Sequence, residues 1–482
     1  MRNSWMAAVV LGLGGVAGAQ EPAAAPAGAT KLEVRPLDSE ATVFRDVHVV
    51  TMTARGTLKN QLVVVNNGRI ETVTDSLDVS TLGKERVVEC EGKKWLIPGL
   101  SDMHVHFPPE PGNEGDAAWR AATLLVANGV TTARGMIGSK PNLEMRQKLA
   151  AGELVGPWCY LASPPLNVQS AKSPEQAREK VRFFKGEGFD LIKAHRLVVP
   201  EVFEALHEEA AAQGIAVAGH VDNEVGLERA YQAKMQIEHL DGMLGALVPE
   251  GLRETFVQMP HGEVKEQADL GRVGVVVQEM KAAGVWATPT LALFEMIADV
   301  KTPTAELVAR PENKYILPKA LTQWGMQRDH NRAEGPFAER GLGDWFTATR
   351  ARMVKEMKEQ GVPMMAGSDS PQFFLVTGFA LHDELGALVR AGLTPLEALH
   401  AATAAPAEYL RGLPGQGSGV GVAPDFGRVE VGLRGDLVLL GDDPTRDISA
   451  TRKIEGVVVR GKWLDRAALD GLLAEVVKSV GA

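Results

Sequence analysis

Between residues 99 and 414 the chain repeats one pattern, and that repetition limits the folds open to it more than any other feature. Short apolar runs alternate with longer amphipathic stretches. LSDMHVHF, VTTARGM, WCYLAS, FDLIKAH, AVAGHV, QIEHLD, VWATPTL and PMMAGSDS are each followed by a segment with helical spacing of apolar residues. Strands that read as near-continuous apolar runs are buried on both faces, and their alternation with helices builds a parallel sheet. Eight strand–helix units are the number that closes into a (β/α)8 TIM barrel. Residues 245–275 and 295–355 are longer than simple connections, and insertions of that length commonly lie over a functional mouth.

The two ends of the chain read differently. Residues 41–98 contain short β-rich runs, with Asn66-Asn67-Gly68 as a turn, and GDLVLLGDD and IEGVVVRGKWL repeat that pattern near the C-terminus. The expectation is an α/β chain with a barrel over 99–414 and a small β-sandwich domain assembled from 41–98 and 415–470. Ahead of both, Arg2, the apolar run from Met6 to Val16 and Ala17-Gly18-Ala19 match a signal peptide over 1–19. The Pro/Ala-rich stretch 20–40 reads as a linker. The protein is therefore expected to be secreted or periplasmic, with no membrane attachment after cleavage.

The formal net charge is −10 and the basic residues are scattered, which argues against a nucleic-acid partner. With only Cys90 and Cys159, a thiolate metal site is excluded by count. The two could form one disulfide or remain as buried thiols.

The strand ends carry the chemistry. In IPGLSDMHVHF, His104 and His106 are two residues apart, so in a strand they project to one face. FDLIKAH carries Lys193, AVAGHV His220, QIEHLD His239 and MMAGSDS Asp369. Singly, each has a plain structural reading. His-x-His occurs by chance, a strand-end lysine snorkels to the surface, a lone histidine is a core residue, and Asp369 forms a turn. A barrel brings all its strand ends to one mouth, so a single shared site explains the six residues together.

These motifs, PGLSDMHVHF, DLIKAH, GHVDN, IEHLDG and AGSDSP, resemble the amidohydrolase superfamily, in its imidazolonepropionase-related and prolidase-like secreted branch. The stretch HDELGALVRAGLTPLEALHAATAAPAEYLRG and the tail GLRGDLVLLGDDP are similar too. The resemblance covers about residues 40–465 and implies a metal-dependent hydrolase of carbon–nitrogen bonds. It implies that His104 and His106 bind one divalent ion, most plausibly zinc, and His220 and His239 a second. Lys193, carboxylated by carbon dioxide to N6-carboxylysine, would bridge them. Asp369 would ligate the first ion and serve as general acid and base toward a water activated as hydroxide. Implied substrates are dipeptides, N-acyl amino acids or related amides such as ochratoxin, and relatives often form homo-oligomers.

Three further residues are candidates for substrate contact. His195 shares a face with Lys193, Arg196 can pair with a carboxylate, and Tyr231 lies between two ligand-bearing strands. His382 reads as structural. Two alternatives stay open: a mononuclear cyclic-amide hydrolase or deaminase of the imidazolonepropionase type, and a barrel scaffold without catalysis.

Overall fold

The computed structural model describes residues 41–76, 86–107, 114–220, 222, 224–249, 261–413 and 423–481; the expected signal peptide and linker lie outside them. The first strands are β1 (Thr42–Val50), β2 (Thr57–Asn66), β3 (Arg69–Thr74), β4 (Val87–Glu89) and β5 (Trp95–Pro98). β1, β2 and β3 form an antiparallel meander. The β2–β3 connection is the two-residue turn Asn67-Gly68, with φ of +48° and +71°. Positive φ at both positions is what such a hairpin turn requires, and Asn-Gly adopts it with least strain.

Pro98-Gly99 then delivers the chain into β6 (Leu100–Val105), whose six residues are all buried. β7 (Val130–Gly135), β8 (Trp158–Leu161), β9 (Leu191–Ala194), β10 (Ala216–Gly219), β11 (Ile237–Glu238) and β12 (Ala287–Thr288) follow, mostly separated by helices. β6, β7 and β8 pair in parallel, Ala162 bridges to Leu191, and β9 pairs with β10. β10 packs beside β11, which pairs with β12.

The eighth expected strand, 363–370, has no regular ladder, yet its backbone reaches both neighbours. Met365 N–H donates to Ala287 O at 2.8 Å, and on the other side Met103 N–H donates to Ala366 O at 3.0 Å. His106 N–H donates to Ser370 O at 2.8 Å. The ring therefore closes in sequence order, consistent with a (β/α)8 barrel. Strand residues including Val105, Val130, Leu161, Ile192, Ile237 and Ala287 form one apolar cluster with the surrounding helices. Each aliphatic side chain so buried contributes on the order of 1.5–3 kcal/mol.

The last strands, β13 (Leu437–Leu440), β14 (Ile454–Val459) and β15 (Lys462–Asp465), return to the N-terminal ones. β13 pairs antiparallel with β5, so strands from both termini form one hydrogen-bonded sheet, ordered β15-β14-β13-β5-β1-β2-β3, with β4 beside β1. Phe44, Val63, Leu96, Leu437 and Val458 pack on one side of it. Beyond this sheet, where the sequence reading ended the domain at 470, the chain continues as a helix, Arg466–Val480. Asp465 caps it by accepting from Ala468 N–H at 2.8 Å, and it packs on barrel helix Glu114–Ala127.

Cys90 and Cys159 are both free thiols. Cys90 belongs to the terminal apolar cluster and Cys159 to the barrel core, and burial pushes each thiol up to about 12. Among the described residues, no helix is long and apolar enough to cross a membrane.

Candidate metal centre

The six strand-end residues converge unevenly. His104, His106 and Asp369 are drawn tightest, with one ligand atom from each within 4.8 Å of the others. His106 Nε2 lies 2.6 Å and His104 Nε2 3.5 Å from Asp369 Oδ1. His239 stands next to them, its ring 4.5 Å from that of His104 and its Nδ1 3.6 Å from Asp369 Oδ2. The His220 ring stacks on His239 at 5.4 Å. Lys193 enters from β9, opposite Ala218 of β10, and its ammonium acts electrostatically on His104, His220, His239 and Asp369.

Local backbone explains how these side chains meet. His239 and Asp369 have φ of +60° and +54°, conformations uncommon for non-glycine residues and concentrated at functional sites. At His239 the turn breaks strand alternation, so Glu238 and His239 both serve the centre. Gly367 is required by proximity: a Cβ there would sit 2.8 Å from His104 Cβ and 2.6 Å from Thr288 Cγ2. Gly219, at φ +140°, lets the chain pass Ala194, whose carbonyl oxygen a Cβ would meet at 1.8 Å.

Burial sets the charge states. It holds His104, His220 and His239 well below the usual imidazole range, which leaves them neutral with a lone pair to offer. It also brings Lys193 down to about 8, against the opposing pull of Glu238 and Asp369. Burial alone would raise Asp369, but His104 and the bond to His106 outweigh it and hold the carboxyl below its ordinary value.

Several buried polar atoms at the centre have no hydrogen-bond partner: Lys193 Nζ, His106 Nδ1, His220 Nδ1 and His239 Nε2. Buried polar groups are nearly always satisfied, so a cluster of exceptions calls for a missing group. An all-nitrogen-and-oxygen donor set, neutral histidines and a nearby carboxylate suit divalent cations, zinc among them. The residues present fit such ions.

A layer beneath the histidines was not read from the sequence. Glu238 Oε2 lies 2.8 Å from His104 Nδ1, while its Oε1 accepts from Arg134 and, at 2.7 Å, from Gln236 Nε2. Arg134 is wholly buried and also donates to Met103 O at 2.6 Å. Asp102 Oδ2 accepts from Ser368 Oγ at 2.6 Å, tying β6 to the eighth run. His239 Nδ1 lies 2.6 Å from Thr290 Oγ1, and Arg350 donates to the His239 carbonyl. The available signal was the ionisable residues within apolar strands, Asp102, Arg134 and Glu238, since such groups are rarely buried unpaired.

The candidate substrate residues separate. The His195 ring lies 4.4 Å from His220, and His195 and Arg196 line a cavity of about 400 Å³ at the barrel mouth with Asn167 and Gln169. Tyr231 is not brought to the centre. Helix Gly226–Gln232 carries it against helix Val273–Ala283, where its ring joins the hydrophobic core and its hydroxyl is buried. The helical register turns that residue outward from the strand ends. His382 is likewise structural: its Nδ1 lies 2.9 Å from Thr451 Oγ1 and its Nε2 3.1 Å from Asn128 O.

Comparison with known proteins agrees with this geometry. The amidohydrolase family model matches residues 95–464. The chain belongs to the amidohydrolase family, metal-dependent hydrolases acting on amide and peptide bonds. Among curated relatives, a dihydroorotase of Listeria monocytogenes serotype 4a (strain HCC23) is 29% identical over 183 residues, 36% of this chain and 40% of the relative. The match thus spans well under half of that relative's length.

Solved structures share the fold over most of the chain. A bottromycin amidohydrolase has a TM-score of 0.68 at 24% identity, covering 93% of this chain and 91% of its own. A Xaa-Pro dipeptidase with bound methionine has 0.63 at 18%, covering 88% and 100%. The A. niger ochratoxinase has 0.61 at 19%, covering 88% and 95%.

Proposed function

We propose that the protein is an exported, binuclear amidohydrolase that cleaves the amide bond of a small substrate. Dipeptides and N-acyl amino acids are the favoured class, with amides such as ochratoxin within it. The carrying observation is Lys193, wholly buried, its Nζ unpartnered, among three neutral histidines and a carboxylate. A lone buried ammonium is costly, and a buried amine readily loses its proton. The ammonium gives up one proton, and the neutral amine then adds carbon dioxide, forming the N–C bond of a carbamate and releasing a second proton; a cation thereby becomes an anion that would suit a pair of cations.

In this reading His104 and His106 with Asp369 hold one ion, and His220 and His239 the other. When bound, the ions supply positive charge that acidifies a water and polarises the scissile carbonyl. Asp369 takes the proton of the attacking water at a carboxylate oxygen. As the C–O bond forms and the C–N bond breaks, it returns that proton to the leaving nitrogen. Arg196 and His195, at the mouth, orient the substrate carboxylate. The terminal sheet is read as the β-sandwich that braces the barrel, and export rests on residues 1–19.

A second reading has one observation in its favour. Among the described residues, the ligand atoms of His104, His106 and Asp369 are the ones close enough to share a single ion. That arrangement suits mononuclear hydrolysis of a cyclic amide. Elemental analysis of purified protein, paired with a hydrolysis screen of dipeptides and N-acyl amino acids varied at the C-terminal residue, tests both. About two ions per chain and turnover of linear amides support the proposal. One ion and turnover of cyclic amides alone would replace it with the second reading.

A further inference from the structure

β11 and β12 end side by side, and past their ladder the backbone turns left-handed three times, at His239, Leu240 and Thr290, with φ of +60°, +63° and +45°. His239 N–H still donates to Thr288 O at 2.6 Å, but the carbonyls of His239 and Pro289 lie beyond the paired residues. Non-glycine residues hold such conformations only where their surroundings over-determine them, and buried carbonyls need donors.

Arg350 supplies both needs. Its Nη2 donates to His239 O and, at 3.2 Å, to Pro289 O, so one nitrogen ties the two strand ends together. The residue is 1% exposed and sits on helix Leu342–Gln360, where the 295–355 insertion returns to the barrel. Phe346 and Arg350, four apart, share the face of that helix that packs on helix Leu291–Ala298. The guanidinium carbon lies 3.8 Å from the centre of the Phe294 ring and 5.2 Å from that of Phe346. Among the described residues its Nε and Nη1 find no hydrogen-bond partner, so Nη2 and the Phe294 face fix the group.

Three contacts pass from this guanidinium to His239. One is the carbonyl bond itself. A second is Phe294, whose ring meets the imidazole edge-to-face with centres 6.0 Å apart. The third is Thr290, next to the clamped Pro289, whose Oγ1 lies 2.6 Å from His239 Nδ1 and leaves Nε2 as the unpartnered nitrogen. A buried cation is a costly donor for two carbonyls, but a planar guanidinium stacked on a ring holds its direction as a flexible neutral amide does not. We propose that Arg350 is a positioning residue for His239: it locks the left-handed backbone and the ring orientation that aim His239 at the ion shared with His220. The inference rests on the two-ion reading above and gives the insertion a part in building the centre.

The test uses the full-length protein loaded with zinc. Chelator competition gives the affinity of each ion, and zinc anomalous peaks in crystals show which one is affected. Arg350→Gln should weaken the ion at His220 and His239 by about tenfold or more and leave the ion at His104, His106 and Asp369 within about twofold. Arg350→Lys, which keeps a donor but not the planar group, should fall between Arg350→Gln and the parent. Met357→Ala removes a buried core side chain about two turns further along the same helix. It should lower the melting temperature and leave both ions in place, which separates positioning from helix stability. If Arg350→Gln does not fold, as judged by melting, Arg350→Lys decides by weakening that one ion alone. An unchanged second ion in a folded variant, or equal weakening of both ions, would overturn the proposal. A single ion in the parent would refute the two-ion reading instead. The His239 conformation then decides: a His239 that leaves the left-handed region in Arg350→Gln crystals supports the positioning role, and an unchanged one overturns it.

Discussion

His106 Nε2 and Asp369 Oδ1 stand 2.6 Å apart across the seam where the eighth barrel run returns to the first strand. The same carboxylate reaches 3.6 Å from His239 Nδ1 through its other oxygen. Asp369 therefore lies between His106 and His239, and its backbone N–H is fixed to His104 O at 2.6 Å.

Asp369→Asn should keep most of the bound metal and lose turnover by about 10²–10⁴-fold, because an amide still offers an oxygen but accepts no proton. Metal content and kcat measured on the same preparation check this. Near-full activity would remove Asp369 from proton transfer.

Lys193→Ala should lose metal and activity together, since the variant has no amine to carboxylate. Short carboxylic acids such as acetate or propionate should restore part of both by occupying the space left in the buried site. Elemental analysis before and after their addition is the measurement, and unchanged metal content would dismiss the bridge.

Glu238→Gln tests the layer beneath the histidines. The carboxylate fixes His104 with its proton on Nδ1 and Nε2 toward Asp369, and it neutralises buried Arg134. Losing such an outer partner weakens metal affinity by about 10–100-fold. A competitive chelator titration should report that loss, while Glu238→Asp, which keeps the charge, should recover part of it. Equal affinity in Glu238→Gln and the parent would reduce Glu238 to a packing role.

His382 predicts a pH dependence of stability away from the centre. Burial lowers its pKa to about 3 in the folded chain. The unfolded chain titrates near the ordinary value of about 6.5. Between those values the unfolded state binds more protons, so stability is full above about 6.5 and falls as the pH drops toward about 3, by up to about 1.4 kcal/mol per unit. Urea unfolding at pH 7 and pH 5 should give a larger loss for the parent than for His382→Gln. Parallel losses would assign the acid sensitivity to other groups.

Much of this was legible in the residue order. Apolar runs at regular intervals define a parallel barrel because a strand buried on both faces leaves no room for polar residues. The six metal-centre candidates were visible as polar residues at the ends of those runs. Asn67-Gly68 marked its hairpin because few residues accept positive φ twice in succession. The supporting layer was not legible: Glu238 and Asp102 are ordinary acids in sequence, and only the closed ring brings Glu238 to Arg134 and Asp102 to Ser368. Tyr231 shows the matching limit, since a helix position next to two ligand strands leaves open which way the ring faces, and the ring packs against the core.

Residue order by itself determined which side chains could ligate, because donor chemistry and strand period are local properties. Tertiary structure alone decided which of them share a cavity, which are neutral and which are left unpaired. Those outcomes depend on barrel closure, which sets distance and removes water, and both act between residues far apart in the chain.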